Sequence, residues 1–363
     1  MNNRLFGRTR LAAFTVVCAA LAACGGNNND DEEAQRANEP MPVPTAQMKA
    51  VLDELAALGA KPIDTLTVAQ ARSQPTPADA VKSLLSKQGK STAPEAVGIV
   101  EDRLIPGPGG LISVRIYKPV GVGPFPLALY IHGGGFVIAT IDTYDSSARA
   151  LTNAAGAIIV STHYRLAPEF KFPAAHDDTY AAYKWTVANA ASLGGLVKQV
   201  AVVGESAGGN MAASIALRAR DDRIQTPVHQ VLIYPVTNYA FDSPSQQQNR
   251  NASPLSTPAL AWFYERYLST PADGNNPQFS VLRAASLTNL PSATVITDDI
   301  DPLRSEGRAY AARLADSGVP VDYANYVGVT HEFFGMGAVL VEANAAVARA
   351  ASGLKASFAN AGS

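Results

Sequence analysis

From Leu111 to Gly328 the sequence alternates short apolar runs with alanine-rich stretches, and that alternation restricts the fold more than any other feature. The runs LISVRIYKP, PLALYIHGG, AGAIIVSTHY, KQVAVVGES, VHQVLIYP, PSATVITDD and PVDYANYVG are mostly bounded by Gly or Pro, as buried strands are. Apolar strands separated by helices must be covered on both faces. The expected fold is therefore α/β, with a mostly parallel central sheet and helices on both sides. Reactive groups in such folds sit on loops beyond the carboxyl ends of the strands. With 363 residues, 47% of them hydrophobic, the chain can bury one large core.

The chain begins differently. Arg4, Arg8 and Arg10 precede the 13-residue apolar run Leu11–Ala23, too short for the roughly 20 residues of a membrane span and typical of a secretion signal. Residues 1–23 are expected to be removed. Leu21, Ala22, Ala23 and Cys24 resemble the bacterial lipobox, which implies that Cys24 becomes a lipidated N-terminus. Gly25 stands where an aspartate typically favours inner-membrane retention, so the outer membrane is the preferred location within the cell envelope. Cys18 reads as signal filler, leaving the processed chain without a disulfide.

Residues 24–44, polar and low in complexity, read as a disordered tether. Residues 45–95 carry helical spacing, with Met48, Val51, Leu52, Leu55 and Leu58 on one face and Val81, Leu84 and Leu85 on another, and read as a cap segment. The catalytic body spans 96–363. Its rhythm breaks at about 238–276, where an insertion after a strand would lie over the sheet's carboxyl edge as a second part of the cap.

KQVAVVGE reads as a strand and NMAASIALRAR as a helix, so Ser206 falls at the turn between them. Gly204-Glu205-Ser206-Ala207-Gly208 fits GxSxG, with glycines where side chains would collide with neighbouring backbone. At an arbitrary position this would be an ordinary turn; between a strand and a helix it pushes a hydroxyl towards substrate. His132-Gly133-Gly134-Gly135 directly follows the strand PLALYI. Three glycines let backbone N–H groups converge where a carbonyl oxygen gains charge in acyl transfer, and the expected donors are the N–H groups of Gly134, Gly135 and Ala207. The competing reading is a phosphate loop, but no Lys and Ser/Thr pair follows. His132 reads as a brace for the loop through its ring nitrogens.

HGGGF at 132–136, YRLAPE at 164–169, GESAGG at 204–209, DPLRSEG at 301–307 and THEFFG at 330–335 resemble the bacterial hormone-sensitive-lipase-like (family IV) esterases of the α/β-hydrolase fold, in order from about Ala50 to Phe358. The resemblance implies hydrolysis of carboxylic esters with short to medium acyl chains beneath a helical cap, with no metal and no organic cofactor. It also implies a catalytic serine, aspartate and histidine in that chain order, carried by Ser206, Asp301 and His331. Asp301 follows the strand SATVIT and His331 follows VDYANYV, and no other histidine lies beyond Asp301. Asp298 and Asp299 in TDDID are alternative acids and a departure, a second carboxylate able to hold solvent or a cation; the likeness to DPL selects Asp301.

Glu205 reads as a packing or buffering group. Arg165 and Glu169 are an expected buried ion pair, and His163, His176 and His229 are expected to be structural. Phe136, Trp262, Phe263, Tyr267 and Phe333 could line an acyl pocket or fill the core. The same triad would serve an amidase or peptidase, and a disarmed scaffold would make a binding lipoprotein. With a formal charge of −2 and no basic run interleaved with aromatics, nucleic acid is excluded as a partner. The expected partners are a small ester and, through the lipid anchor, a membrane, with a homodimer left open.

Overall fold

The computed structural model describes Glu33 and residues 35–362; the expected signal segment 1–23 and Cys24 lie outside the described residues. Strands β1 (Ile99–Gly107), β2 (Gly110–Lys118), β3 (Phe125–Ile131), β4 (Ile158–His163), β5 (Gly195–Glu205), β6 (His229–Ile233), β7 (Ser292–Ile300) and β8 (Val321–Thr330) form one sheet in the order β1-β2-β4-β3-β5-β6-β7-β8. The first three in that order pair antiparallel, and every pair from β4 to β8 is parallel. This is the α/β-hydrolase arrangement expected from the sequence. Strand β1 is an addition. Its exposed edge carries Glu101, Asp102 and Arg103 between apolar residues, so it shows no buried run.

The helices are α1 (Ala46–Ala57), α2 (Val68–Ser73), α3 (Pro77–Lys87), α4 (Asp145–Ala155), α5 (Ala174–Asn189), α6 (Ala207–Asp221), α7 (Pro244–Gln248), α8 (Thr257–Tyr267), α9 (Pro271–Gly274), α10 (Arg304–Asp316) and α11 (Val341–Ala361). Alternate residues of the central strands feed two cores, as strand geometry requires. Leu127, Leu129, Val200 and Val202 pack with Tyr180 of α5, Met211 of α6 and Leu314 of α10. Ala128, Tyr130, Ala201 and Val203 pack with Leu151 of α4 and Val347 and Leu354 of α11 on the other face.

Two segments distant in sequence meet over the carboxyl edge of this sheet. The first runs from α1 to α3. Thr45 caps α1 through the N–H of Met48, and the helix buries Met48, Val51 and Leu55 while Leu58 beyond its end stays exposed. Thr67 with Gln70 and Thr76 with Asp79 form capping boxes on α2 and α3, satisfying N–H groups that the first turn leaves open. The second segment, α7 to α9, is inserted between β6 and β7. Trp262 of α8 joins the two by donating its indole N–H to the carbonyl of Leu66, at 3.0 Å. Within the stretch expected as a tether, Glu33 is buried against Arg304 and Ser305 and Arg36 pairs with Asp299.

The closest packing lies where β5 turns into α6. A Cβ on Gly208 would stand 2.0 Å from the carbonyl oxygen of Ile131 and 2.6 Å from that of His132, and one on Gly204 would stand 2.1 Å from the oxygen of Gly208. Backbone atoms of a central strand cannot yield as a flexible side chain would. Gly208→Ala is therefore expected to cost the upper part of the about 1–3 kcal/mol range of overpacking, or more. Gly156→Ala, at φ +63 with nothing within 4 Å, should cost only about 1–2 kcal/mol of left-handed strain. Chemical denaturation of the two variants against the parent chain checks the order.

Candidate active site

Ser206 sits alone at the junction of β5 and α6 with φ 57° and ψ −118°, a conformation that costs a non-glycine residue on the order of 1–3 kcal/mol. The junction is held from both sides: Ser206 N–H donates to the carbonyl of Ile233 at 2.9 Å, and its own carbonyl accepts from Asn210 N–H at 3.0 Å. The turn lifts the hydroxyl beyond the strand end, where it meets Nε2 of His331 at 2.9 Å. Nδ1 of the same ring lies 2.7 Å from Asp301 Oδ2. The other oxygen of Asp301 accepts from Leu303 N–H at 2.8 Å, and Asn249 fixes the loop by donating to the carbonyls of Asp299 and Asp301. All three side chains are buried. Of the carboxylates in TDDID, Asp301 is the one bonded to His331; Asp299 pairs with Arg36 and Arg304.

The loop after β3 approaches the same hydroxyl. Gly134 and Gly135 have φ of +99° and +57°, and a Cβ on Gly134 would stand 2.2 Å from the carbonyl of Ile138. The backbone N–H groups of Gly134, Gly135 and Ala207 donate to no backbone acceptor among the described residues. His132 braces the loop from behind: Nδ1 lies 2.8 Å from the carbonyl of Gly133, and Nε2 lies 3.0 Å from His163 Nδ1. Burial, with His163 alongside, pushes the pKa of His132 down to about 3, so the ring stays neutral. Its tautomer follows from its partners: Nδ1–H donates to the carbonyl and Nε2 accepts from His163.

Behind the hydroxyl and the imidazole lies a buried network that sequence reasoning did not assemble. Tyr130 and Tyr234 both donate to the carboxyl of Glu205. Tyr144 donates to Glu332 Oε1 at 2.6 Å, and the ring of Tyr234 lies 4.5 Å from that of His331, centre to centre. Burial raises the pKa of Glu205 to about 7 against the pull of the two phenols. Burial also raises Glu332, although His331 and Tyr144 oppose it. For His331 burial disfavours the cation, but the charge and hydrogen bond of Asp301, helped by Glu332 and Glu205, outweigh it and leave the pKa above the ordinary 6.5. The only local signal was the carboxylate beside Ser206 and the one beside His331; the tyrosines come from three different strand and loop ends.

Three other expectations resolve as follows. Arg165 does not pair with Glu169: it forms a bidentate pair with Asp178 on α5, at 2.8 Å for both contacts, while Glu169 pairs with Arg72 of α2. Four residues apart on a loop, the two side chains diverge and each meets a helix from elsewhere. His176 and His229 are enclosed by hydrogen bonds to Tyr267 and Asn210, and to Ser292 and Thr294. Of the five aromatics, Phe263 faces the cavity, whereas Phe136 stacks on Tyr267 at 4.1 Å and Arg266 covers Trp262 at 3.7 Å.

A cavity of about 660 Å³ opens over Ser206 and His331, walled by Leu52, Ile63, Ile138, Leu255, Phe263 and Tyr264 among others. Its size and apolar walls suit a small organic molecule. The ligand atoms of Asp298, Asp301 and His331 lie within 4.8 Å of one another. A cation bound there would draw Asp301 away from the imidazole.

A family model described as the alpha/beta hydrolase fold matches residues 128–335. The chain is 36% identical over 260 residues to the ethyl acetate hydrolase of Pseudomonas putida, covering 70% of this chain and 81% of that one. It is 40% identical over 255 residues to the esterase LipI of Mycobacterium tuberculosis, covering 69% and 79%. The solved structure of a hyperthermophilic esterase from Pyrobaculum calidifontis has a TM-score of 0.78 at 38% identity, covering 87% of this chain and 99% of that one. With sheet order, strand-end loops and relatives in agreement, the chain belongs to the hormone-sensitive-lipase-like (family IV) carboxylic ester hydrolases of the α/β-hydrolase superfamily.

Proposed function

We propose that this ester hydrolase works through an acyl-enzyme on Ser206, with His331 as general base and Asp301 as the acid that orients it. The observation that carries the reading is the unbroken line of hydrogen bonds from Asp301 through His331 to Ser206, at 2.7 and 2.9 Å. His331 Nε2 takes the hydroxyl proton as Ser206 Oγ attacks the ester carbon, and the imidazolium that forms is stabilised by the carboxylate of Asp301. The carbonyl oxygen becomes an anion facing the N–H groups of Gly134, Gly135 and Ala207. Those donors are fixed in place, so they stabilise the charge without the reorganisation that water would require. His331 then protonates the leaving alcohol, and a water molecule repeats the cycle on the acyl-enzyme.

Substrates are esters of short to medium acyl chains, a reading supported by a mostly apolar cavity of about 660 Å³ directly over the hydroxyl. The enzyme is further read as lipid-anchored through Cys24 to a bacterial membrane, the outer one in preference; the support is the apolar run ending in Leu-Ala-Ala-Cys. Among the described residues no helix is long and apolar enough to cross a membrane.

Asp301→Asn should lower kcat by about 10³ or more, because an amide holds the imidazole in the wrong tautomer. Asp299→Asn, at a carboxylate paired with Arg36 and Arg304, should do far less; steady-state hydrolysis of a short-chain ester decides, and the reverse order would refute the assignment. A serine-directed fluorophosphonate should label the parent chain and not Ser206→Ala, and rates on an acyl series from about two to about sixteen carbons should peak at the short to medium end.

His331 must be neutral to accept the proton. Since its cation is favoured in the folded protein, neutrality demands a higher pH than for a free imidazole. The limb of kcat/KM on the acid side should therefore lie at a higher pH than an unperturbed imidazole would give. Glu205→Gln removes one of the charges that favour the cation, and a pH profile of that variant should show the limb displaced towards acid.

For the anchor, Cys24→Ser should move the activity from the membrane to the soluble fraction.

A further inference from the structure

Asp298 is the buried carboxyl that the chemistry described so far does not use. It lies on β7 two residues beyond Ile296, hence on the same face of the strand, and is wholly inaccessible to solvent. Neither of its oxygens has a hydrogen-bond partner among the described residues. Here the sheet register breaks: Asp298 pairs with Tyr326 and Ile300 with Thr330, so β8 spends four residues against two of β7 just before the chain turns out to Asp301. The break leaves a carboxyl oxygen of Asp298 within 4.8 Å of an oxygen of Asp301 and of a ring nitrogen of His331.

Two bare carboxylates cannot share such a place. Each would lack solvent and repel the other. Asp301 already spends one oxygen on His331 Nδ1 and the other on Leu303 N–H, so its charge is fixed by donors. Asp298 has none, and the proton stays there.

We propose that Asp298 is a positioning residue, held as the neutral acid, whose hydroxyl is directed at the Asp301 carboxylate so that the pair carries a single negative charge in the working enzyme. This rests on the reading of Asp301 as the acid of the triad. The groups that face Asp298 are Asp301, Asp299 and Arg304 from its own strand end and the helix beyond, His331 from the loop after β8, and Tyr326 across the register. Burial first, and then Asp301, drive its pKa well above that of a free aspartate, with Arg304 alone opposing. A third donor on Asp301 limits how its carboxylate plane can turn, and so which way the imidazole points. When Asp298 finally loses its proton in alkali, a second negative charge appears beside the first. Repulsion then swings Asp301 off Nδ1, and turnover falls.

The test is the profile of kcat/KM from about pH 5 to about pH 10 for the full chain, Asp298→Asn and Asp298→Ala, with Asp301→Asn as reference. Asparagine keeps a donor but has no proton to lose. That variant should hold at least about a tenth of the parent rate near neutrality and keep its rate into alkali, with the descending limb displaced by about one pH unit or more. Alanine has no donor and should fall about tenfold further near neutrality. An infrared difference spectrum between the parent and Asp298→Asn near neutral pH should contain the carbonyl band of a protonated carboxyl.

Parent and Asp298→Asn profiles that superimpose, an alanine variant equal to the asparagine variant throughout, or the absence of that band would each overturn the proposal. So would activity that responds to zinc or to a chelator in the parent and not in Asp298→Asn, because the cluster would then be a cation site. If Asp301→Asn is itself nearly as active as the parent, the triad assignment falls and not only the role of Asp298.

Discussion

Everything at the site depends on how closely α6 approaches the end of β3. With only hydrogen on its Cα, Gly208 lies against the carbonyls of Ile131 and His132. That contact sets the start of α6 beside the glycine loop that follows the same strand. Gly134, Gly135 and Ser206 consequently border one small volume. The N-terminus of α6 adds its positive dipole end to that volume, and the turn pays with the strained φ of Ser206. The close approach brings together the glycine loop and Ser206, about seventy residues apart in sequence.

The electrostatics behind the hydroxyl run the other way. Asp301, Glu205 and Glu332 surround His331 with acidic groups in a largely buried place, and phenols from Tyr130, Tyr234 and Tyr144 offset part of the cost of burying them. The helix end and loop amides on one side are thus set against carboxyl groups on the other, as the proposed chemistry requires of a front that meets an anion and a back that meets an imidazolium. Phe136, Ser206, Tyr234 and Glu332 are four of the seven non-glycine residues with positive φ among those described, and all four lie in or against this arrangement. Strain gathers where the two fields must be held a few ångströms apart.

Much of this could be read from the sequence because the decisive patterns are local. A buried strand announces itself by an apolar run, and a strand-to-helix turn by its glycines. Ser206, the glycine loop and His331, to which the proposed roles of nucleophile, donors and base are given, each follow directly on such a strand. Strand β1 escaped because Glu101, Asp102 and Arg103 break its run at a wet edge, and α2 because six residues are too few to establish a period. The partners of Arg165 and Glu169 were misjudged for a different reason: ion pairs are chosen by what the fold brings near, here Asp178 and Arg72. The tyrosine and glutamate network was invisible for the same reason, since residues 130, 144, 205, 234 and 332 become neighbours only once the sheet is assembled.

The roof over the cavity comes from two separate lengths of chain, α1 to α3 and α7 to α9, joined to each other by contacts such as Trp262 with Leu66, while the reacting groups stand on the sheet. Most of the cavity wall and the polar groups at its floor therefore come from different lengths of the chain. Exchange of either roof segment between relatives would remodel selectivity without disturbing the machinery underneath.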